Sequence, residues 1–169
     1  LLSRALERGG IRRGVEAADA RAALRAIVAG LELPPGIDRE TVAALFAAQE
    51  TLVPVGGGVA IPHARAPVVL PLKDPLVALA FLARPVPSTA RDGGPIGAAF
   101  AVFSPTVRIH LHVLSKIGQA LNDDATHALI ARRAPDAELL ARLREVEAAA
   151  PRATLPGPAG PGASAEEAR

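Results

Sequence analysis

Leu76-Val77-Ala78-Leu79-Ala80-Phe81-Leu82-Ala83 and Ile96-Gly97-Ala98-Ala99-Phe100-Ala101-Val102-Phe103 decide the fold class. Each is a short, nearly continuous apolar run with no polar alternation, the pattern of a strand covered on both faces. Arg91-Asp92-Gly93-Gly94-Pro95 stands between them as a strong turn signal, with Asp92 read as a turn former. Cover on both faces calls for helices on either side, and helical patterns flank both runs. The expected architecture is therefore an α/β sandwich, a central sheet between helices, with the strand order unread.

Toward the N-terminus, Leu24, Ile27, Val28 and Leu31 repeat at i, i+3, i+4 and i+7, predicting a helix over about 16–31. Leu33-Pro34-Pro35-Gly36 stops it, because proline has no amide donor and restricts its predecessor. Asp38 is placed to cap a second helix with Val42, Leu45 and Phe46 as its inner stripe. From Pro54 to His63 the pattern reads as a glycine loop, a brief strand and a histidine at the strand's exit.

Toward the C-terminus, Ser104-Pro105 predicts a helix cap followed by proline at the first helical position. That helix runs to Leu121, with Leu111, Leu114, Ile117, Gly118 and Leu121 as its apolar side. Asp123 and Asp124 read as helix-start residues rather than paired catalytic carboxylates, ahead of a short segment at 128–132. Arg132-Arg133 reads as a solvated face. Pro135-Asp136 opens a last helix carrying Leu139, Leu140, Leu143 and Val146. The pattern gives one domain over 1–152. Residues 153–169, rich in Pro, Gly and Ala, read as a flexible tail or a linker to a further domain.

Composition removes several function classes. With 19 basic and 17 acidic side chains among 169 residues, and only four aromatic ones, the chain has neither the charge nor the stacking surface of a nucleic-acid binder. The absence of Cys removes disulfides, thiolate metal sites and cysteine nucleophiles, and fits a reducing compartment. The apolar run at 76–83 is far shorter than the roughly 18 residues of a membrane span. Leu1-Leu2-Ser3-Arg4 lacks the pattern of a signal peptide. A cytoplasmic domain without direct membrane insertion is expected, and no cofactor or metal.

His63 is the residue best placed for chemistry. A neutral imidazole offers one nucleophilic nitrogen while a hydrogen bond to the other fixes the tautomer, which suits reversible phosphoryl acceptance. Gly57, Gly58 and Arg65 are the candidates for stabilising charge on phosphate oxygens, through backbone amides and a guanidinium. The residues alone more readily give a surface loop histidine. His110 has Leu114 at i+4 and Ile117 at i+7, which turns it inward, either to pair with a carbonyl or to reach His63; His112 points away. At i and i+2 the two make a poor metal pair, and His127 reads as a solvated helix residue. The glycine stretch lacks the ending of a P-loop and the full dinucleotide fingerprint.

Gly56-Gly57-Gly58-Val59-Ala60-Ile61-Pro62-His63-Ala64-Arg65 resembles the active-site signature of phosphotransferase enzyme IIA domains of the fructose–mannitol and nitrogen-regulatory class. Asp92-Gly93-Gly94-Pro95-Ile96, Phe103-Ser104-Pro105 and His110-Leu111-His112-Val113-Leu114-Ser115 follow in the same order, and the resemblance spans Leu2 to about Ala150. It implies a mixed central sheet, His63 as phosphoryl acceptor and His110 as the second active-site histidine. It also implies an HPr-like donor and, in the transport branch, a cysteine of an EIIB domain as acceptor, fused downstream or separate, with a membrane EIIC domain in the full system. In the nitrogen-regulatory branch, phosphorylation changes contacts with regulatory partners. The family's Arg-Glu pair and the hydroxyls of its Ser-Thr-Gly-Ile-Gly-like approach fall on Ala47-Ala48 and on Leu52-Val53-Pro54-Val55-Gly56 by ungapped spacing; a two-residue gap moves the pair to Gln49-Glu50. Either way the arginine and the hydroxyls are missing. Arg65 or a partner side chain is left to compensate, or phosphotransfer is weakened in favour of regulation.

Overall fold

The computed structural model describes residues 1–64, 67–88 and 94–149, with the backbone alone at 49, 50, 63 and 64. Helix α1 (Leu2–Gly9) is followed by strand β1 (Ile11–Val15), helix α2 (Ala20–Ala29) and helix α3 (Arg39–Gln49). Strands β2 (Glu50–Gly56) and β3 (Val59–Ala64) form a hairpin, and β4 (Leu76–Val86) and β5 (Ile96–Phe103) complete the sheet. Helices α4 (Val107–Leu121), α5 (Asp124–Ala131) and α6 (Asp136–Ala149) close the described chain.

The sheet is mixed, in the order β1-β4-β5-β3-β2. β4 and β5 pair antiparallel, β1 is parallel to β4, β3 is parallel to β5, and β2 is antiparallel to β3. The expected α/β sandwich with a mixed sheet is observed. The two-residue period of the central strands sorts their side chains into two cores. Leu76, Ala78, Ala80 and Leu82 of β4, with Ala99, Ala101 and Phe103 of β5, pack under α2 and α3. Val77, Leu79 and Phe81, with Ala98, Phe100 and Val102, pack under α1, α4, α5 and α6. The alanines bring helices close to the sheet. In the first core Phe46 fills the space by stacking on Phe103, with ring centroids 4.7 Å apart.

Local chemistry sets the helix ends. Asp19 and Asp123 cap α2 and α5 by accepting from the amides of Ala22 and Thr126. The Asp38 carboxylate accepts from the amide of Thr41 at 2.9 Å. The Thr41 hydroxyl is the main reason its pKa is lowered.

Several expectations are corrected. The first helical pattern begins at Ala20 rather than 16, because Asp19 is extended and caps it. α1, β1 and β2 are elements that the sequence pattern does not mark. Leu45 and Leu111, expected inside, are 38% and 60% exposed, and Ala47 and Val113 take the buried positions. The cap of α4 is Thr106, not Ser104: its side chain accepts from the amide of Ile109, and Ser104 is held back by a bridge to Val69. Asp92 and Gly93 of the expected turn, Arg65 and the 153–169 segment lie outside the described residues.

Candidate functional site

The strand directions collect chemistry-bearing positions at one end of the sheet. β3 and β5 both finish there, and α4 starts there from the end of β5. His63 is the penultimate residue of β3, with Thr51 of β2 opposite it. On its other side β3 pairs Val59 with Ala98 and Ala60 with Ala99, a register that brings position 63 level with Val102 when continued.

α4 adds His110. Thr106 opens the helix, and the Thr106 carbonyl accepts from the His110 amide at 3.0 Å. His110 shares the inner stripe with Val113, Ile117 and Ala120 and is 5% exposed. Its Nδ1 is sealed without a hydrogen-bond partner among the described residues. Burial lowers its pKa, because desolvation disfavours the charged ring. His112 is exposed, as the helix phase predicts. Ser104, fully buried at the close of β5, also has a hydroxyl without a partner among the described residues. An apolar rim surrounds this end: Val69, Val107 and Leu111 are 44%, 50% and 60% exposed.

The structure does not bring Gly57 and Gly58 to His63. They form the β2–β3 turn, with φ of 56° and 75°, at the opposite end of β3. At about 3.3 Å per residue, the five-residue separation from Gly58 is roughly 16 Å of strand. That is too far for their amides to reach a group carried at His63. Near this far turn sits a cavity of about 160 Å³ lined by Gly57, Gly58, Phe81, Pro95, Ile130 and Arg133, among others.

His127 is not a solvated helix residue. It is half-buried, and its ring lies against Gly57 so closely that a Cβ there would fall 2.0 Å from Cε1. The Arg132–Arg133 pair is also more than a solvated face. Arg133 donates to the carbonyl of Leu82 at 2.8 Å and, like Arg13, places its guanidinium over Phe81. Asp123 is the helix-start residue expected. Hydrogen bonds from Arg142 first, then Thr126, hold its carboxyl well below the usual carboxylate range. Among the described residues no three His, Asp or Glu side chains converge as a metal-ligand set, and no helix is long and apolar enough to cross a membrane.

A family model described as "Phosphoenolpyruvate-dependent sugar phosphotransferase system, EIIA 2" matches residues 5–146. The chain belongs to that EIIA family. It is a phosphotransfer domain of the kind that relays a phosphoryl group. Among solved structures, the nitrogen regulatory protein IIA-Ntr of Neisseria meningitidis superposes with a TM-score of 0.63 at 23% identity, over 80% of this chain and 93% of that one. The mannitol-specific cryptic enzyme IIA CmtB of Escherichia coli gives 0.57 at 14% identity, over 84% and 99%. Enzyme IIAMTL of Escherichia coli, in its complex with phosphorylated enzyme IIBMTL, gives 0.55 at 17% identity, over 81% and 95%. At these identities the likeness is one of fold. No curated protein matches the chain.

Proposed function

We propose that this EIIA domain accepts a phosphoryl group on His63 from an HPr-like phosphohistidine, and that the charge so placed switches its binding to regulatory partners. The observation that carries the acceptor role is the convergence of β3's end, where His63 sits, with the start of α4, which holds the buried His110. The two-residue period of β3 gives position 63 the parity of Val59 and Ile61, which belong to the layer containing α4. His110 then serves as a hydrogen-bond donor to the transferring phosphoryl group. The donor phosphoramidate is already activated, so the protein has chiefly to align the two rings in line and exclude water. Arg65 remains the proposed guanidinium for the phosphate oxygens.

Two observations favour the regulatory use. The fold superposes on a nitrogen regulatory IIA with a TM-score of 0.63, against 0.57 and 0.55 for the two mannitol-type enzymes. In this chain, the approach to β3 is the apolar Leu52-Val53-Pro54-Val55. Roughly two negative charges beside the exposed rim of Val69, Val107 and Leu111 would change what docks there. The second reading is transfer onward to an EIIB cysteine for sugar uptake. The solved complex of IIAMTL with phosphorylated IIBMTL supports it by analogy of fold.

Incubation with phosphorylated HPr should give one acid-labile phosphate, lost in His63→Ala. A buried charge-assisted hydrogen bond is worth about 1.5–3 kcal/mol, and about 1.4 kcal/mol is tenfold in rate. His110→Ala should therefore slow transfer roughly ten- to a hundredfold, and His112→Ala far less. No transfer from a panel of HPr-like donors to the folded protein would defeat the proposal. Equal affinity of each regulatory partner for the phosphorylated and free forms, with rapid transfer to an EIIB cysteine, would select the transport reading instead.

A further inference from the structure

Ser104 and His110 present the same anomaly at the same junction. Ser104 closes β5 and His110 sits in the first turns of α4, with only the bend at Pro105 and Thr106 between strand and helix. Both side chains are more than nine-tenths buried. The Ser104 hydroxyl oxygen and His110 Nδ1 each lack a hydrogen-bond partner among the described residues. Native interiors rarely leave such atoms unpaired, and two at one junction are the pattern that a shared partner satisfies.

They lie in one layer. Along β5, Ala98, Phe100 and Val102 pack on the α4 side and Ala99, Ala101 and Phe103 on the other, so the strand's period gives position 104 to the α4 side. His110 is the member of α4's buried stripe nearest the helix start, which is the end that meets Ser104. The Ser104 carbonyl is already engaged by the amide of Leu70 at 3.1 Å, which fixes the backbone and leaves the hydroxyl free to rotate.

We infer that Ser104 is a positioning residue for His110: its hydroxyl donates to one bound water, which donates to Nδ1 and so keeps the ring's single proton on Nε2. A neutral imidazole has one donor and one acceptor nitrogen, and the partner at one fixes the identity of the other. With Nδ1 accepting, Nε2–H is the donor available to a phosphoryl oxygen at His63. Without Ser104, both tautomers are populated and the donor is correctly presented only part of the time. This assignment rests on the pairing of His63 and His110 proposed above.

The test is the ring 15N spectrum of the whole chain, labelled at histidine, in the wild type, Ser104→Ala and Ser104→Thr. The wild type should show His110 as the Nε2–H tautomer, Ser104→Ala a mixture, and Ser104→Thr the wild-type pattern. Phosphate acceptance from phosphorylated HPr should fall in Ser104→Ala, by about twofold when the two tautomers are equally populated, and should recover in Ser104→Thr. A proton on Nδ1 in the wild type overturns the inference without recourse to any variant. An unchanged His110 tautomer in folded Ser104→Ala overturns it too. A tautomer that follows residue 104 in a protein that takes no phosphate supports the assignment and defeats the phosphotransfer reading.

Discussion

Gly57→Ala tests whether His127 and the β2–β3 turn are one packed unit. The substitution carries two separable costs. At φ of 56° the backbone is left-handed, which costs a residue with a Cβ about 1 kcal/mol. The new methyl would also lie 2.0 Å from Cε1 and 2.3 Å from Nε2 of His127, where ordinary contact begins near 3.4 Å. The half-buried ring must therefore leave its place, which adds about 1 kcal/mol in lost packing and rotamer strain. Gly58→Ala is the control. Its φ of 75° is also left-handed, but its nearest neighbour would be the Pro95 carbonyl oxygen at 3.5 Å. Gly57→Ala should lose about 2 kcal/mol, or roughly 4–8 °C in Tm for a chain of this size, and Gly58→Ala about half as much. In the double variant Gly57→Ala/His127→Ala the steric part disappears, so the loss should fall short of the sum of the single losses by about 1 kcal/mol. Urea unfolding followed by far-ultraviolet circular dichroism suits a chain without Trp or Tyr. Strict additivity, or equal losses for the two glycines, would refute the contact. Phosphate acceptance by folded Gly57→Ala should stay within about twofold of wild type, because the turn is a strand's length from His63. A large loss there would restore the glycines to the phosphate site.

Gly9→Ala should be more damaging than either turn variant. Its Cβ would fall 2.1 Å from the Val77 carbonyl oxygen, backbone that cannot swing aside, and a loss of about 3 kcal/mol or failure to fold is expected in the same assay. Asp123→Asn keeps a capping side chain but removes the carboxylate that Arg142 engages at 2.6 and 2.9 Å. With side chains 23% and 32% exposed, the pair should contribute about 1 kcal/mol. Its folded pKa is depressed, so the advantage of wild type over Asp123→Asn should be complete above about pH 5 and shrink as pH falls through the folded value. An advantage unchanged at pH 2 would count against it.

The parts legible in the sequence are those where one force dominates. β4 and β5 announce themselves because both faces are buried, so every residue is apolar. β1 is an edge strand carrying Arg12, Arg13 and Gly14, and nothing in Ile11–Val15 marks it before β4 supplies a partner. β2 is hidden by Pro54, tolerated because the strand is paired on one side alone. Helix phase was legible where a buried stripe repeats, as at His110, but Leu45 and Leu111 show that an apolar side chain is not bound to lie inside. Of the candidate site, the sequence places His63 at a strand's exit and His110 in the first turns of a helix, as the structure does. The separation of Gly57 from His63 is not legible, because glycines six residues upstream read as nearby until the segment is seen to be a straight strand. His127 meets a turn 70 residues earlier, and Ser104 matters through burial, so neither leaves a local pattern.

Because β4 and β5 run in opposite directions, the strand ends are shared between two poles: β3 and β5 finish at one, β1, β2 and β4 at the other. With the phosphoryl group carried as proposed, one pole is a working face and the other a handle. On the function proposed above, an affinity tag, surface tether or reporter attached at the far pole, clear of the packed Gly57 turn, would leave the His63 pole unobstructed. The chain can accordingly be immobilised by its handle and followed, molecule by molecule, while its other end turns over.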